Sequence, residues 1–341
     1  MKQLLPFIFL LSILTSCSKQ NIEPEDEQEI SSRTDDTITV TNLNPDYALP
    51  SSAAGEYNLL GHGYDVTGPF AEASAAGHQI IDVLKYKEVH PSLVDLGRSN
   101  VGEARTFASE NYATYFQMLS SRTGETKDQR LFKGAITSYF PDQDALSDKY
   151  IYSSYTLLAE WKRVKMMPDL SLFQKYLTDT FKTVIQSKSP QEIVEKYGTH
   201  ILADITLGAK LVVLYQAETE NRDREKAAEL GLTVAMGNVF GFSTGDLDNA
   251  KATSATGNFS QKLSYRAFNG DSDKISQTVS PGSKHPTVDI SGWHQSLVNT
   301  EDVLIDFHDL SRSLVPLYDV IEDPVKKEEL RAHIEAYIAK N

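Results

Sequence analysis

Thiols are almost missing from this 341-residue chain, whose one cysteine is Cys17. A single thiol cannot close an internal disulfide. Positive charge is also in deficit, with 33 Lys and Arg against 47 Asp and Glu and a formal charge of -14. Nucleic acid needs clustered Lys and Arg, and anionic lipid attracts polybasic patches, so neither is an expected electrostatic partner. Any membrane engagement has to be apolar or receptor-mediated. Catalytic signatures are missing too: there is no HExxH helix, no Gly-x-Ser-x-Gly elbow and no phosphate-binding glycine loop. No Cys or second His stands at ligand spacing from His62, which reads as a structural or surface residue. His200 and Asp204 straddle a helix-to-strand junction, a poor setting for a shared acid–base geometry. The expectation is a non-enzyme without metal or cofactor.

Aromatic residues are well represented, with 16 Tyr and 14 Phe, enough for a substantial core in one large or two modest domains. At the N-terminus, Lys2 precedes an apolar run through Leu4, Leu5, Phe7 to Leu11, Ile13 and Leu14 that is too short to span a bilayer. Leu14-Thr15-Ser16-Cys17 resembles a bacterial lipobox. That resemblance implies a signal peptide over 1–16 and an acylated Cys17 that anchors the protein to the outer membrane without a transmembrane helix. Surface exposure and possible release follow as expectations. The alternative is an ordinary signal peptide with a chance cysteine. Residues 18–55 are polar, with an acidic run from Glu23 to Glu29, so 17–55 is expected to be a flexible tether.

Further on, Ser189-Pro190-Gln191-Glu192 reads as a capping box with Pro at the first helical position. Gly198 ends that helix, and Ile205 to Tyr215 alternates as a strand. Ile205, Leu207, Leu211, Val213 and Tyr215 share one face; Thr206, Gly208, Lys210 and Gln216 share the other. Gln79 to Leu84, the aromatic-rich stretch Ala104 to Leu119, and Ile151 to Trp161 also read as β, and Arg122 to Arg130 as a charged loop. Phe132, Gly134, Ile136 and Phe140 alternate with more polar neighbours. Leu170, Phe173, Leu177, Phe181 and Val184 form one helical stripe. From Gly231 to Gly245, Leu232, Val234, Met236, Phe240 and Phe242 alternate with small or polar residues, as one face of a membrane strand would. Asp246 to Gly257 suits a crossing turn, and Leu263, Tyr265 and Ala267 a return strand. Ile275 to Val279 fits a last sheet strand, and Asp323-Pro324 opens a final helix.

Tyr197-Gly198-Thr199-His200-Ile201 followed by Gly208 resembles the signature of the membrane attack complex/perforin (MACPF) family. Leu60-Gly61-His62-Gly63-Tyr64-Asp65-Val66 is similar to that family's opening segment, and Trp293 to Ile338 to its C-terminal end. The resemblance implies an α+β domain over 56–341: a bent, twisted central antiparallel sheet flanked by two helical clusters, as in the cholesterol-dependent cytolysins. The family's hinge pair reads Gly208-Ala209 here, and its His is structural. The clusters are expected at about residues 132–152 and 220–262. They would unfurl into membrane hairpins carrying Phe132, Ile136 and Phe140 in the first and Leu232, Val234, Met236, Phe240 and Phe242 in the second. The implied function is a pore-forming surface lipoprotein, an antibacterial or host-directed toxin. Its partners would be a target membrane, a surface receptor and further copies of itself. The competing expectation is a non-lytic adhesin or glycan-binding lipoprotein on the same fold. Replacing Cys17 with Ala is expected to move the protein from the membrane fraction to the soluble fraction; retention in the membrane fraction would sink the lipobox reading.

Overall fold

A computed structural model of the chain describes residues 37–44, 57–121, 131–242, 244, 257–297 and 303–341. The segment 1–16, Cys17, the loop Arg122–Arg130 and most of the turn Asp246–Gly257 lie outside these residues.

Short elements open the fold: β1 (Ile38–Asn42), β2 (His62–Tyr64), β3 (Ala76–Gln79) and helix α1 (Val83–Val89). The long strand β4 (Val94–Ser109) follows, then helices α2 (Tyr112–Ser121) and α3 (Gly134–Thr137), then β5 (Tyr150–Met166). Helices α4 (Leu170–Lys175), α5 (Asp179–Ser187) and α6 (Pro190–Tyr197) lead to β6 (His200–Leu202) and β7 (Asp204–Thr219). Helix α7 (Arg224–Phe240) separates β7 from β8 (Asn258–Phe268). After it come β9 (Ser276–Thr278), β10 (Thr287–Asp289), β11 (Val303–Asp306), β12 (Leu314–Pro316) and the helix Pro324–Lys340.

The central sheet has the order β1-β8-β7-β5-β4, with β11 beside β7 where β8 stops. The ladders β4:β5, β5:β7 and β7:β8 are antiparallel, whereas β1 pairs with β8 in parallel. A smaller sheet, β12-β6-β2-β3, gathers the signature strand with the opening and closing segments. Apolar side chains form two cores. One includes Phe116, Phe132, Tyr197 and Leu214; the other holds Leu211, Val213, Tyr215, Met236, Leu263 and Trp293. Alternate residues of β7 therefore face different cores, and almost the whole strand is buried. Such burial on both faces is why Leu211 to Tyr215 is a continuous apolar run.

Several expectations are corrected. Part of the segment expected to be a tether, 17–55, is the strand β1, with Ile38 buried in the second core. Gln79–Leu84 is not one strand: β3 ends at Gln79, and Asp82 caps α1 by accepting from Lys85 N at 3.1 Å. Ala104–Leu119 is β only to Ser109. Asn111 Oδ1 accepts from Thr114 N at 2.9 Å and starts α2. The cap could be read locally, but aromatic content obscured it. The first helical cluster therefore begins near Tyr112 rather than 132, and Tyr150 already belongs to β5. The Leu170–Val184 stripe spans two helices, because Asp169 and Thr178 each act as an N-cap. Ile275–Val279 contributes β9 to a separate two-stranded sheet with β10.

The helix α6 carries the expected capping box: Ser189 Oγ accepts from Glu192 N at 3.3 Å, and Ser189 N donates to Glu192 Oε2 at 3.0 Å. Replacing Ser189 with Ala is expected to cost about 1 kcal/mol. Urea unfolding checks this, with a lower midpoint at unchanged slope; an unmoved midpoint would count against the box as a stabilising cap.

Candidate functional site

The signature junction is a place where backbones touch. Gly198 has φ +78° and ψ −157°, a region beyond the left-handed helix and in practice open only to glycine. A Cβ there would lie 2.5 Å from Tyr64 C. On the facing strands, a Cβ at Gly63 would lie 1.7 Å from Tyr197 O, and one at Gly77 would lie 2.8 Å from Tyr197 Cα. The Tyr197–Gly198 peptide is thus clasped between β2 and β3. Thr199 completes the join: its N and Oγ1 both donate to Tyr64 O, at 2.9 and 3.1 Å, and its Oγ1 accepts from Val66 N. Leu317 N donates to Thr199 O at 3.0 Å, and β12 pairs with β6, so the C-terminal end is held by the same residues.

His200 is partly buried, with Nδ1 2.9 Å from Thr199 Oγ1. Burial pulls its imidazole down from 6.5 to about 4, against the opposing pull of Asp319. Asp204 is committed to Arg163, whose Nε donates to its Oδ1 at 2.7 Å. The junction is a structural hub, and its His is held neutral.

Gly208 marks a second constraint. A Cβ there would stand 2.0 Å from Ala159 O on β5. Register shifts occur at this level in three strands, between Arg98 and Val101 in β4, Glu160 and Lys162 in β5, and Leu304 and Asp306 in β11. Such shifts bend a strand and deepen its twist. The side chains assigned to one face divide here: Ile205 and Leu207 enter the first core, while Leu211, Val213 and Tyr215 enter the second. Only the first residue of the expected glycine pair is needed, because Ala209 is accommodated in the second core.

The two helical clusters cover opposite faces of the sheet. In the first, Phe132, Ile136 and Phe140 are buried in the first core, and Phe132 sits edge-on to Phe70 at 5.0 Å. A cluster of charges lies beneath. Glu72 pairs with Arg266 of β8 at 3.1 Å and accepts from Tyr139 Oη at 3.2 Å. Lys210 Nζ donates to Phe70 O and Ala71 O at 3.2 and 2.7 Å. Burial lowers the Lys210 ammonium to about 8; Glu72 and Asp306 oppose that shift and Arg266 adds to it. Glu72, Lys210 and Asp306 border a small cavity of about 50 Å³ that Tyr115, Leu119 and Tyr139 also line.

The second cover is α7. Leu232, Met236 and Phe240 pack on the second core, joined by Ala228, Ala235 and Val239. Val234 lies partly exposed, and Phe242 packs at the rim, 5.5 Å from Tyr155. This stretch is helical, although its alternation suits a strand equally well. The reason is arithmetic: a spacing of four keeps residues on one face in both a 3.6-residue helix and a two-residue strand. The structure thus places all the expected membrane-inserting residues on the two covers rather than together. The charge cluster drew no notice in the sequence, since its members are contributed by separate elements.

A mostly antiparallel sheet with helical covers inserted between its long strands is the architecture of perforin-like domains. The MAC/Perforin domain profile matches residues 54–341, and the chain belongs to that family. Two solved structures have the same fold. A MAC/Perforin-domain protein of Bacteroides thetaiotaomicron, described as a candidate cell invasion protein, has a TM-score of 0.63 at 18% identity, over 86% of this chain and 63% of its own. GNIP1Aa from Chromobacterium piscinae has a TM-score of 0.60 at 17% identity, over 83% of this chain and 56% of its own. The chain therefore spans less than two thirds of either protein's length. No curated protein matches it.

The state of His200 sets an acid limit. The folded chain holds the imidazole neutral, whereas the unfolded chain takes up a proton near pH 6.5, so this residue's contribution falls as pH drops from 6.5 toward about 4. The gap in melting temperature between the parent and His200→Gln is expected to shift against the parent across that interval. A gap independent of pH would refute the neutral imidazole.

Proposed function

We propose that this protein is a pore-former, a reading that goes beyond family membership. It would be held at the bacterial outer membrane by an acylated Cys17 and exposed at the surface, or released from there. A target membrane bearing a surface receptor would be its partner. Copies would associate through the edges of the central sheet, and each would add two hairpins to a closed barrel. Closure pairs every strand edge, which a bilayer demands because lipid cannot satisfy free backbone groups.

One observation carries this reading. The four long strands end at one level: Ser109 pairs with Tyr152, Tyr150 with Glu218, and Thr219 with Asn258. The segments 110–149 and 220–257 leave and re-enter the sheet at that level, and they hold the two covers. Each is long enough for two membrane strands of about 10 residues. Unfurling would extend ladders that are already in register. Sheet face and cover would part, and the alternating residues Leu232, Val234, Met236, Phe240 and Phe242 would meet lipid. Rival bacteria or host cells are the candidate targets.

Val234 provides the test, because it is partly exposed on α7. Phe240 is less suitable, since its ring packs edge-on against Tyr265 at 5.5 Å in the folded core. Val234→Arg is expected to leave the melting temperature near the parent's. At mid-bilayer the new charge costs about 2–4 kcal/mol per subunit, so propidium uptake across a panel of Gram-negative strains and mammalian cells is expected to be lost. Uptake unchanged by the substitution would contradict the lipid face. No uptake by the parent in any cell type would favour the non-lytic surface-binding reading.

A further inference from the structure

A cleft of about 360 Å³ lies where α7 crosses the edge strand β4. Its floor is strand. Thr106 pairs with Tyr155, and Ala108 with Ser153. Residues directly opposite on paired strands share a face of the sheet. Tyr155 belongs to the second core, and Ser153 Oγ donates to Ala228 O of α7 at 2.5 Å, so Thr106 and Ala108 face α7.

The wall of the cleft is helix. Lys226 Nζ donates to Glu229 Oε2 at 2.7 Å, which sets an ammonium and a carboxylate side by side on α7. Each has bonding capacity beyond that pair. Thr233 Oγ1 donates to Glu229 O at 2.9 Å and accepts from Thr244 Oγ1 at 3.2 Å, so Thr244 closes back on the helix beyond its end. Glu225 adds a second carboxylate, and Leu232 an apolar contact beside Ala108.

That lining selects a ligand class. Two carboxylates against one ammonium disfavour phosphates and other acids. A wholly apolar ligand would strip water from the polar groups and leave them unpaired. A neutral polyol satisfies them. Its hydroxyls donate to carboxylate, accept from ammonium and do both with Thr106, Thr233 and Thr244, while its C–H face lies on Ala108 and Leu232. The volume falls within the roughly 300–1,000 Å³ usual for small-molecule sites.

We propose that this cleft binds a neutral pyranose, free or at the end of a glycan, and that the bound sugar holds α7 against β4. The site itself needs no pore; its effect on unfurling rests on the pore reading. In that reading β4 stays in the sheet while α7 belongs to the departing segment 220–257, so the cleft exists only while the second cover is closed. A ligand that binds one of two states shifts their ratio in proportion to its saturation. A sugar at about 100 times its Kd would disfavour the unfurled form about 100-fold.

Calorimetric titration of the full chain with glucose, galactose, mannose and N-acetylglucosamine, beside a glycan array, tests the site. Saturable binding of at least one probe is expected. Glu229→Gln is expected to weaken it by about tenfold or more, since a charged acceptor is lost. Thr106→Trp is expected to abolish it by filling the cleft. Both positions are exposed, so both variants are expected to melt near the parent's temperature. Binding of a free sugar and binding on the array alone distinguish the two sources. Amides of α7 are expected to exchange more slowly with sugar bound, and propidium uptake by a strain the parent permeabilises is expected to fall. No binding to any probe, or binding equal in parent and both variants, overturns the site. Binding that leaves α7 exchange unchanged overturns the clamp. Slower α7 exchange beside a parent that permeabilises no cell upholds the site and overturns the pore.

Discussion

Backbone meets backbone where Tyr197 and Gly198 pass between Gly63, Tyr64 and Gly77, and the rest of the fold is built outward from that contact. No side chain could be inserted there without parting the elements. The helix α6 ends at the contact, β6 begins beyond it, and β7 follows after the single residue Ala203. The position of the central sheet is therefore tied to the glycines of β2 and β3. Through Thr199 and β12, the C-terminal part is tied to the same point. Close packing of this kind tolerates no added methyl, since interiors have no spare volume to absorb one.

The two faces of the sheet are covered by different chemistry. Apolar packing of Ala227, Ala228 and Ala235 in the second core holds α7, together with two neutral hydrogen bonds to its backbone, from Ser153 Oγ to Ala228 O at 2.5 Å and from Asn258 Nδ2 to Ala227 O at 2.9 Å. The first cover rests on charge as well as on aromatic packing. Tyr139 of that cover donates to Glu72, which is paired with Arg266, and Lys210 lies nearby on carbonyl oxygens. Separating a buried pair from its partners is far costlier than the pair's net contribution to stability, so the first cover is specified more sharply than its apolar contacts alone would require.

Much of the local structure was legible because its causes are local. The Ser189–Glu192 box, the cap at Asp323 and a strand over Ile205 to Tyr215 all appear where expected. The signature residues were found together, although their role as a clasp depends on glycines more than a hundred positions earlier. The start of α2 was missed despite its Asn111 cap, because aromatic residues are common to strands and buried helices alike. The first cover was consequently placed too late in the chain. The charges beneath it were invisible, since Glu72, Lys210 and Arg266 are brought together only by the fold.

From residues alone came the family, the order of its landmarks, the net acidic charge and the two ends of α6; each follows from a short motif or from composition. Tertiary structure decided what such signals leave open. The stretch Leu232 to Phe240 suits helix and strand equally by spacing, and the apolar face of the sheet beneath it selects the helix. A polar segment expected to stay flexible becomes β1, because the edge of β8 offers it hydrogen bonds and a pocket for Ile38. In both cases the deciding partner lies far away in sequence, and a conformation set by such a partner has no local signature.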